Sequence, residues 1–432
     1  MEKTVILDTT YGKIRGVQRE GNQVFKGVRY AKAERFQKPV RCVSDQEIYD
    51  ATSFPKVAHQ LGQPEGSFYD REFWHHKEYS GEHSEDCLFL NIFKPDHAEN
   101  LPVAVWIHGG AFMNGFCSKV EIDGEYWNRE DVILVSITYR LGILGFLTCG
   151  MLDEAYGDSG NLAIYDQLAA IDWVHEHIAS FGGNPDHITI MGQSAGAMSV
   201  QTLLCSPLLN KGVVGAVMQS GGGIRNWMNR STGKEEMRGW HEECLKQMGI
   251  TTLEQLLAYD PQKLTEESAA VASEKMGPGL LFYPHMSEEI LPDTYENMAE
   301  LGKMANVPYI IGCTKNDMTV GESLWESPIY TGCTALVDGV QKNGFAPDYV
   351  YVFGKDPLGG EGQGSFHSSD LWYSFHTLYR SWREKDEMDY QVADEMCLRW
   401  ATFVKTGNPN CENLPEWPAY SGKQEEVYKF GF

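Results

Sequence analysis

"ITIMGQSAGAMSV" (188–200) begins as a short β-branched apolar run and ends in small residues. The first half predicts a buried strand and the second a helix, with Gly192-Gln193-Ser194-Ala195-Gly196 at the junction. A G-x-S-x-G turn can lift a serine hydroxyl clear of a sheet as a nucleophile. Gly, Ser and Ala are common residues, so the pentapeptide alone leaves open an ordinary serine where a strand becomes a helix. The rest of the chain has to decide between the two.

Outward from this junction, strand-like runs recur. "LPVAVWIHGG" (101–110), "DVILVSITYR" (131–140), "VVGAVMQSGGG" (213–223), "VPYIIGCTKND" (307–317) and "DYVYVFG" (348–354) are each short and apolar. "AIYDQLAAIDWVHEHIASFG" (163–182) places Ile164, Leu168, Ile171, Val174 and Ile178 at helical spacing and stops at Gly182-Gly183. Strands alternating with helices predict an α/β fold with a mostly parallel sheet covered on both faces. Residues of about 225–305 are rich in Glu, Met and Leu and read as a compact helical insertion over the active site, within a single domain spanning 1–432. In such sheets the ligand site lies at the carboxyl ends of the strands, where the glycine loops fall.

Composition narrows the function. With 36 Lys and Arg against 60 Asp and Glu, the formal charge is −24, so nucleic acid and anionic membrane surfaces are expected to repel the chain. The longest apolar region, "VILVSITYRLGILGFLTCGML", is broken by Arg140 and glycines and reads as a strand and loop rather than a membrane span. The 10 cysteines are scattered without a CxxC or Cys/His cluster, and the N-terminus lacks a signal-peptide pattern. Free thiols, a cytoplasmic location, no metal and no cofactor are expected. The chain is read as a monomer or small homo-oligomer.

A serine nucleophile needs a base, a group to orient the base, and donors for the oxyanion. "IHGGAF" (107–112) follows a strand; Gly109 and Gly110 would present backbone N–H groups, with Ala195 as a third donor. The order Ser, acid, His leaves His241, His285, His367 and His376 as bases. His241, in "RGWHEEC", reads as a solvated helix face, His285 as a pocket-lining residue and His376 as a packing residue. His367, between a glycine-rich loop and a helix start, has the position of a catalytic histidine. Asp317, at the end of "YIIGCTKND", is the expected acid. Asp370 reads as an N-cap or first-turn carboxylate, and Glu322 is a weaker alternative.

Together these segments resemble the type-B carboxylesterases of the α/β-hydrolase fold, the group that includes the cholinesterases. "FKGVRYAKAERF" (25–36), "SEDCLFLNIF" (84–93), "HGGAF", "TYRLGILGFL" (138–147), the long run 160–196, "FHSSDLWYSF" and "FVKTGNPN" carry the likeness over nearly the whole chain. The resemblance implies Ser194 as nucleophile, His367 as base and Asp317 as acid, the last where many relatives carry Glu. It also implies structural ion pairs, Arg35 with Glu85 and Asp86 with Arg140. Cys87 stands at a family disulfide position without its upstream partner. Gln193 stands where eukaryotic relatives usually have Glu and bacterial ones often Gln, which suggests a short bacterial-type member.

The resemblance implies hydrolysis of small, largely uncharged alkyl or aryl esters through an acyl-enzyme. Phe112, Met113, Gly221, Gly222, Leu281, Phe282 and Phe366 are candidates for the pocket. Amide or carbamate cleavage and acyl transfer fit the same residues, and some relatives are binding proteins that lack the nucleophile.

Overall fold

A computed structural model of the chain describes residues 3–227, 229–276, 281–318 and 323–432. The strands are β1 (Thr4–Thr9), β2 (Gly12–Gln18), β3 (Asn22–Arg29), β4 (Ala31–Lys32), β5 (Val40–Arg41), β6 (Tyr49–Asp50), β7 (Phe89–Pro95), β8 (Leu101–Ile107), β9 (Ile133–Ile137), β10 (Gly183–Gln193), β11 (Val213–Gln219), β12 (Tyr309–Thr314), β13 (Tyr349–Phe353) and β14 (Tyr428–Phe430). Among the described residues, twelve join in one sheet of order β1-β2-β3-β7-β9-β8-β10-β11-β12-β13-β14, with β6 beside β2; β4 and β5 form a separate pair. From β9 to β14 the neighbours run parallel, while β1, β2, β3, β7 and β9 pair antiparallel in turn.

The central strands are apolar on both faces, as a doubly covered parallel sheet requires. In β8, Val103, Val105 and Ile107 join one core cluster while Ala104 and Trp106 join another. Strand geometry sends alternate side chains to opposite faces, so each strand feeds two cores. On the first face lies helix α1 (Leu162–His177), which ends at Gly182 through one tighter turn, Ile178–Phe181. Beside it runs α2 (Ala195–Cys205), all eleven of whose residues are buried. An apolar helix without a polar face needs cover on every side; α1, β10, β11 and the short helix Tyr295–Glu300 supply it. On the second face lies α3 (Glu387–Thr406), capped by reciprocal Asp386 and Asp389 hydrogen bonds and closed by Gly407. It contributes Val392, Met396, Trp400 and Phe403 to that core.

Residues 225–305 contain the helices Lys234–Gln247, Leu253–Ala258, Pro261–Met276 and Tyr295–Glu300. Arg35 ties this segment to the body: its guanidinium donates to the carbonyls of Leu256, Leu257 and Tyr259 at 3.3, 3.1 and 2.7 Å while pairing with Glu85. Among the described residues no helix is long and apolar enough to cross a membrane. All ten cysteines are unpaired, Cys87 among the buried ones.

Candidate active site

Ser194 sits between β10 and α2 with φ 56° and ψ −126°, a conformation that costs an L-residue free energy and persists only where the surroundings enforce it. The enforcement is visible. The Ser194 N–H donates to the Gln219 carbonyl at the end of β11, 2.8 Å away. A Cβ on Gly192 would lie 2.4 Å from the Gly196 backbone, and one on Gly196 would lie 2.1 Å from the Ile107 carbonyl oxygen. Only glycine fits at either position, so the two glycines let β10 turn into α2 beside β8. Ser194 is left partly exposed in a cleft of about 200 Å³.

The loop after β8 passes over this turn. Gly109 packs against it, since a Cβ there would lie 3.0 Å from the Ser194 Cβ. Gly110 (φ 115°) and Ala111 (φ 55°) then reverse the chain. Among the described residues no backbone acceptor is found for the N–H groups of Gly109, Gly110 or Ala111, and all three residues line the cleft with Ser194. Ala195 opens α2, so its N–H has no partner one turn back, and the positive end of the helix dipole lies beside the serine. Ala111 carries no motif signal of its own, because what it presents to the cleft is a backbone N–H that any residue except proline has.

His367 and Asp317 come from loops beyond β13 and β12. The loops are stitched together: the Asn316 N–H donates to the Ser365 carbonyl at 3.1 Å, and the Ser365 N–H to Asn316 Oδ1 at 3.2 Å. That pairing sets Asp317 Oδ1 2.5 Å from His367 Nδ1. Burial would lower the imidazole pKa, but the Asp317 charge and hydrogen bond outweigh it, with a contribution from Asp370, so His367 titrates above its ordinary 6.5. The Gln193 amide lies 3.2 Å from Nε2. With Nδ1–H donated to Asp317, Nε2 carries the lone pair and faces Gln193 in the cleft.

The other candidates part company with this cluster. Asp370 stands at the N-cap position of the turn Leu371–Ser374 but makes no capping bond. Its Oδ2 accepts from Gln219 Nε2 at 3.0 Å and Tyr351 Oη at 2.9 Å. Burial, opposed by those two bonds and reinforced by Asp317, pushes its carboxyl up to about 6. Glu322 lies outside the described residues. His241 is not a solvated helix residue. It is fully buried, accepts from the Thr148 N–H at 3.2 Å and stacks on Phe282. His285 lines a different cavity, beside Asn161 and Lys234, and His376 bonds Asp394 at 2.7 Å.

The expected pair Asp86–Arg140 does not form. Arg140, buried behind β9, takes Asp166 of α1 instead, with Nε–Oδ2 2.8 Å and Nη2–Oδ1 2.7 Å. A buried guanidinium requires a buried counter-ion; Asp86, its side chain 45% exposed, pairs with Arg29.

None of the seven proposed pocket residues lines the cleft. Phe112 is fully buried against Phe146, ring centroids 5.1 Å apart, and Met113 abuts Gly142. Gly221 backs onto the Ser194 carbonyl, Gly222 onto Gln201, and Leu281 and Phe282 are core residues. Phe366 packs among Phe68, Tyr69 and Phe73. The wall is instead Gln63, Tyr69, Phe73 and Trp74, the last two on the short helix Asp70–Trp74, with Asn114, Lys119 and Glu121 from the loop after β8, and Met318. No described residue of 225–305 reaches it. The aromatic density of "SFYDREFW" (67–74) was the available signal.

The carboxylesterase family model matches residues 3–327 and 318–432. The chain is 30% identical to the para-nitrobenzyl esterase of Bacillus subtilis over 98% of its length and 94% of that protein's. It is also 30% identical to the human cocaine esterase, over 94% and 83%. Among solved structures, a thermophilic PNB esterase superposes with a TM-score of 0.86 at 29% identity, covering 98% of this chain and 96% of that one. A Geobacillus stearothermophilus carboxylesterase gives 0.81 at 30% identity, with the same coverage. These neighbours share the large, mostly parallel sheet flanked by helices of the α/β-hydrolase fold. The chain belongs to the carboxylesterase family and is a carboxylic ester hydrolase.

Proposed function

We propose that the chain hydrolyses small, largely uncharged alkyl or aryl esters through a Ser194–His367–Asp317 triad. The observation that carries this reading is the 2.5 Å contact of Asp317 with His367 Nδ1 in the cleft that holds the strained Ser194. Asp317 fixes the tautomer and steadies the imidazolium. Nε2 takes the Ser194 proton as Oγ attacks the ester carbonyl, displacing the Gln193 amide from that lone pair. The carbonyl oxygen gains negative charge and accepts from the N–H groups of Gly109, Gly110 and Ala195, with Ala111 adjoining them. His367 returns the proton to the leaving alcohol. Water, activated by the same nitrogen, then releases the acid from the acyl-serine.

The cleft supports the substrate reading. Its volume, about 200 Å³, is below that usual for drug-sized ligands, and the apolar rings of Tyr69, Phe73 and Trp74 line it. Hydrolysis of aryl and alkyl acetates by the Ser194→Ala variant tests the proposal. Turnover is expected to fall by about 10³–10⁶; a variant that keeps most of its activity overturns it.

A further inference from the structure

The cleft wall is not uniformly apolar. Lys119 and Glu121 both line it, with Nζ 2.9 Å from Glu121 Oε1. The lysine side chain is 15% exposed and the glutamate 2%, so the ammonium is the member that a ligand meets. It lies 5.1 Å from the Phe73 ring centroid and 5.7 Å from that of Trp74, close enough for cation–π attraction. Among the described residues Glu121 is the one side-chain oxygen found for this ammonium, which leaves further N–H groups to donate. Three other polar atoms on residues of the same wall are buried without a partner: Trp106 Nε1, His108 Nε2 and Glu121 Oε2. His108 shares its Nδ1 proton with the Gly109 carbonyl, 2.9 Å away, and burial keeps the ring neutral, so its Nε2 is an acceptor. These three atoms are shut off from solvent, so the polar group the wall presents to a ligand is the Lys119 ammonium, a donor unsuited to a hydrocarbon chain.

We infer that Lys119, backed by Glu121, forms a hydrogen-bonding subsite that takes an uncharged hydroxyl group of the ester substrate, beside the rings of Phe73 and Trp74. A hydroxyl accepts from the Lys119 ammonium and brings no charge of its own to the Glu121 side of the pair. A carboxylate fits less well, because Glu121 already neutralises the lysine and would repel it. The inference rests on the Ser194 mechanism and adds a substrate class to it.

Two matched pairs test it on the full chain. Ethyl 3-phenylpropanoate is compared with ethyl 3-(4-hydroxyphenyl)propanoate, and phenethyl acetate with 4-hydroxyphenethyl acetate; in both the hydroxyl is remote from the reacting carbonyl. In at least one pair the hydroxylated ester is expected to have a kcat/KM at least tenfold higher. In the Lys119→Met/Glu121→Met double variant that ratio is expected to fall to about one. Replacing a buried ion pair by apolar side chains of similar size commonly preserves folding. A wild-type ratio near one in both pairs overturns the inference without any variant. So does a double variant that keeps the preference, or a 4-carboxyphenyl analogue turned over faster than the hydroxyphenyl ester. Failure of the underlying mechanism is distinguishable, because Ser194→Ala would then still hydrolyse all four esters.

Discussion

The floor and the wall of the cleft are built differently. The floor is backbone at strand ends: the Ser194 turn after β10, the glycine loop after β8, and the paired loops that follow β12 and β13. Each is pinned by contacts that leave no room for an added atom, as the 2.1 Å gap at Gly196 shows. The wall is side chains from residues 63–74, which include the short helix Asp70–Trp74, and from the loop 111–121, whose positions depend on ring packing and on ion pairs such as Lys119–Glu121 and Arg383–Glu72. The difference teaches where chemistry and selectivity reside. A reaction needs groups held to within a fraction of an ångström, which a sheet provides; a preference among substrates needs only a surface that loops can vary.

The comparison breaks most sharply at the two carboxylates near His367. Asp317 belongs to the pinned floor and touches Nδ1, while Asp370 touches Gln219 and Tyr351. Asp317→Asn is expected to lower kcat by about 10⁴, since the amide favours the wrong tautomer. Asp370→Asn, which keeps an oxygen to accept both bonds, is expected to stay within about tenfold. Steady-state kinetics on one ester compares them, and equal losses would dissolve the distinction between floor and neighbour.

A wall variant should act on binding instead. Trp74 is partly exposed and packs edge-on against Phe116 at 5.3 Å. Trp74→Ala is expected to raise KM for aryl esters by about tenfold with kcat within a few-fold. A collapse of kcat with unchanged KM would place the wall within the catalytic frame.

The smallest effect is on pH. In the proposed mechanism the base form of His367 is the active one, and Asp317 raises its pKa, so kcat/KM should rise with pH through a midpoint above 6.5. Gln193→Glu adds a negative charge beside Nε2, further favouring the imidazolium; the midpoint is expected to move up again, by less than about one unit. A midpoint at or below 6.5, or a downward shift in the variant, would contradict the assigned contacts.

Legibility followed the same division. Strand ends and glycine loops could be read in order, because periodicity and turn chemistry are local; Ser194, His367 and Asp317 fall together where strand ends must meet. The wall was illegible, since residues next to a site in sequence need not face it: Phe112 follows the glycine loop after β8 yet turns into the core. Long-range choices were illegible for another reason. Arg140 takes Asp166, on a helix 26 residues on, over Asp86 because of burial, which no local pattern reports. The insertion follows the same rule: His241, amid charged neighbours, is fully buried, and the cleft wall comes from segments 63–74 and 111–121, where regular structure amounts to the short helix Asp70–Trp74.

Covalent labelling tests the central claim most directly. The full chain, treated with a fluorophosphonate and digested, should carry one adduct, on the peptide containing Ser194, formed in step with loss of esterase activity and slowed by His367→Ala. Labelling at another residue, or full loss of activity with Ser194 unmodified, would contradict the account.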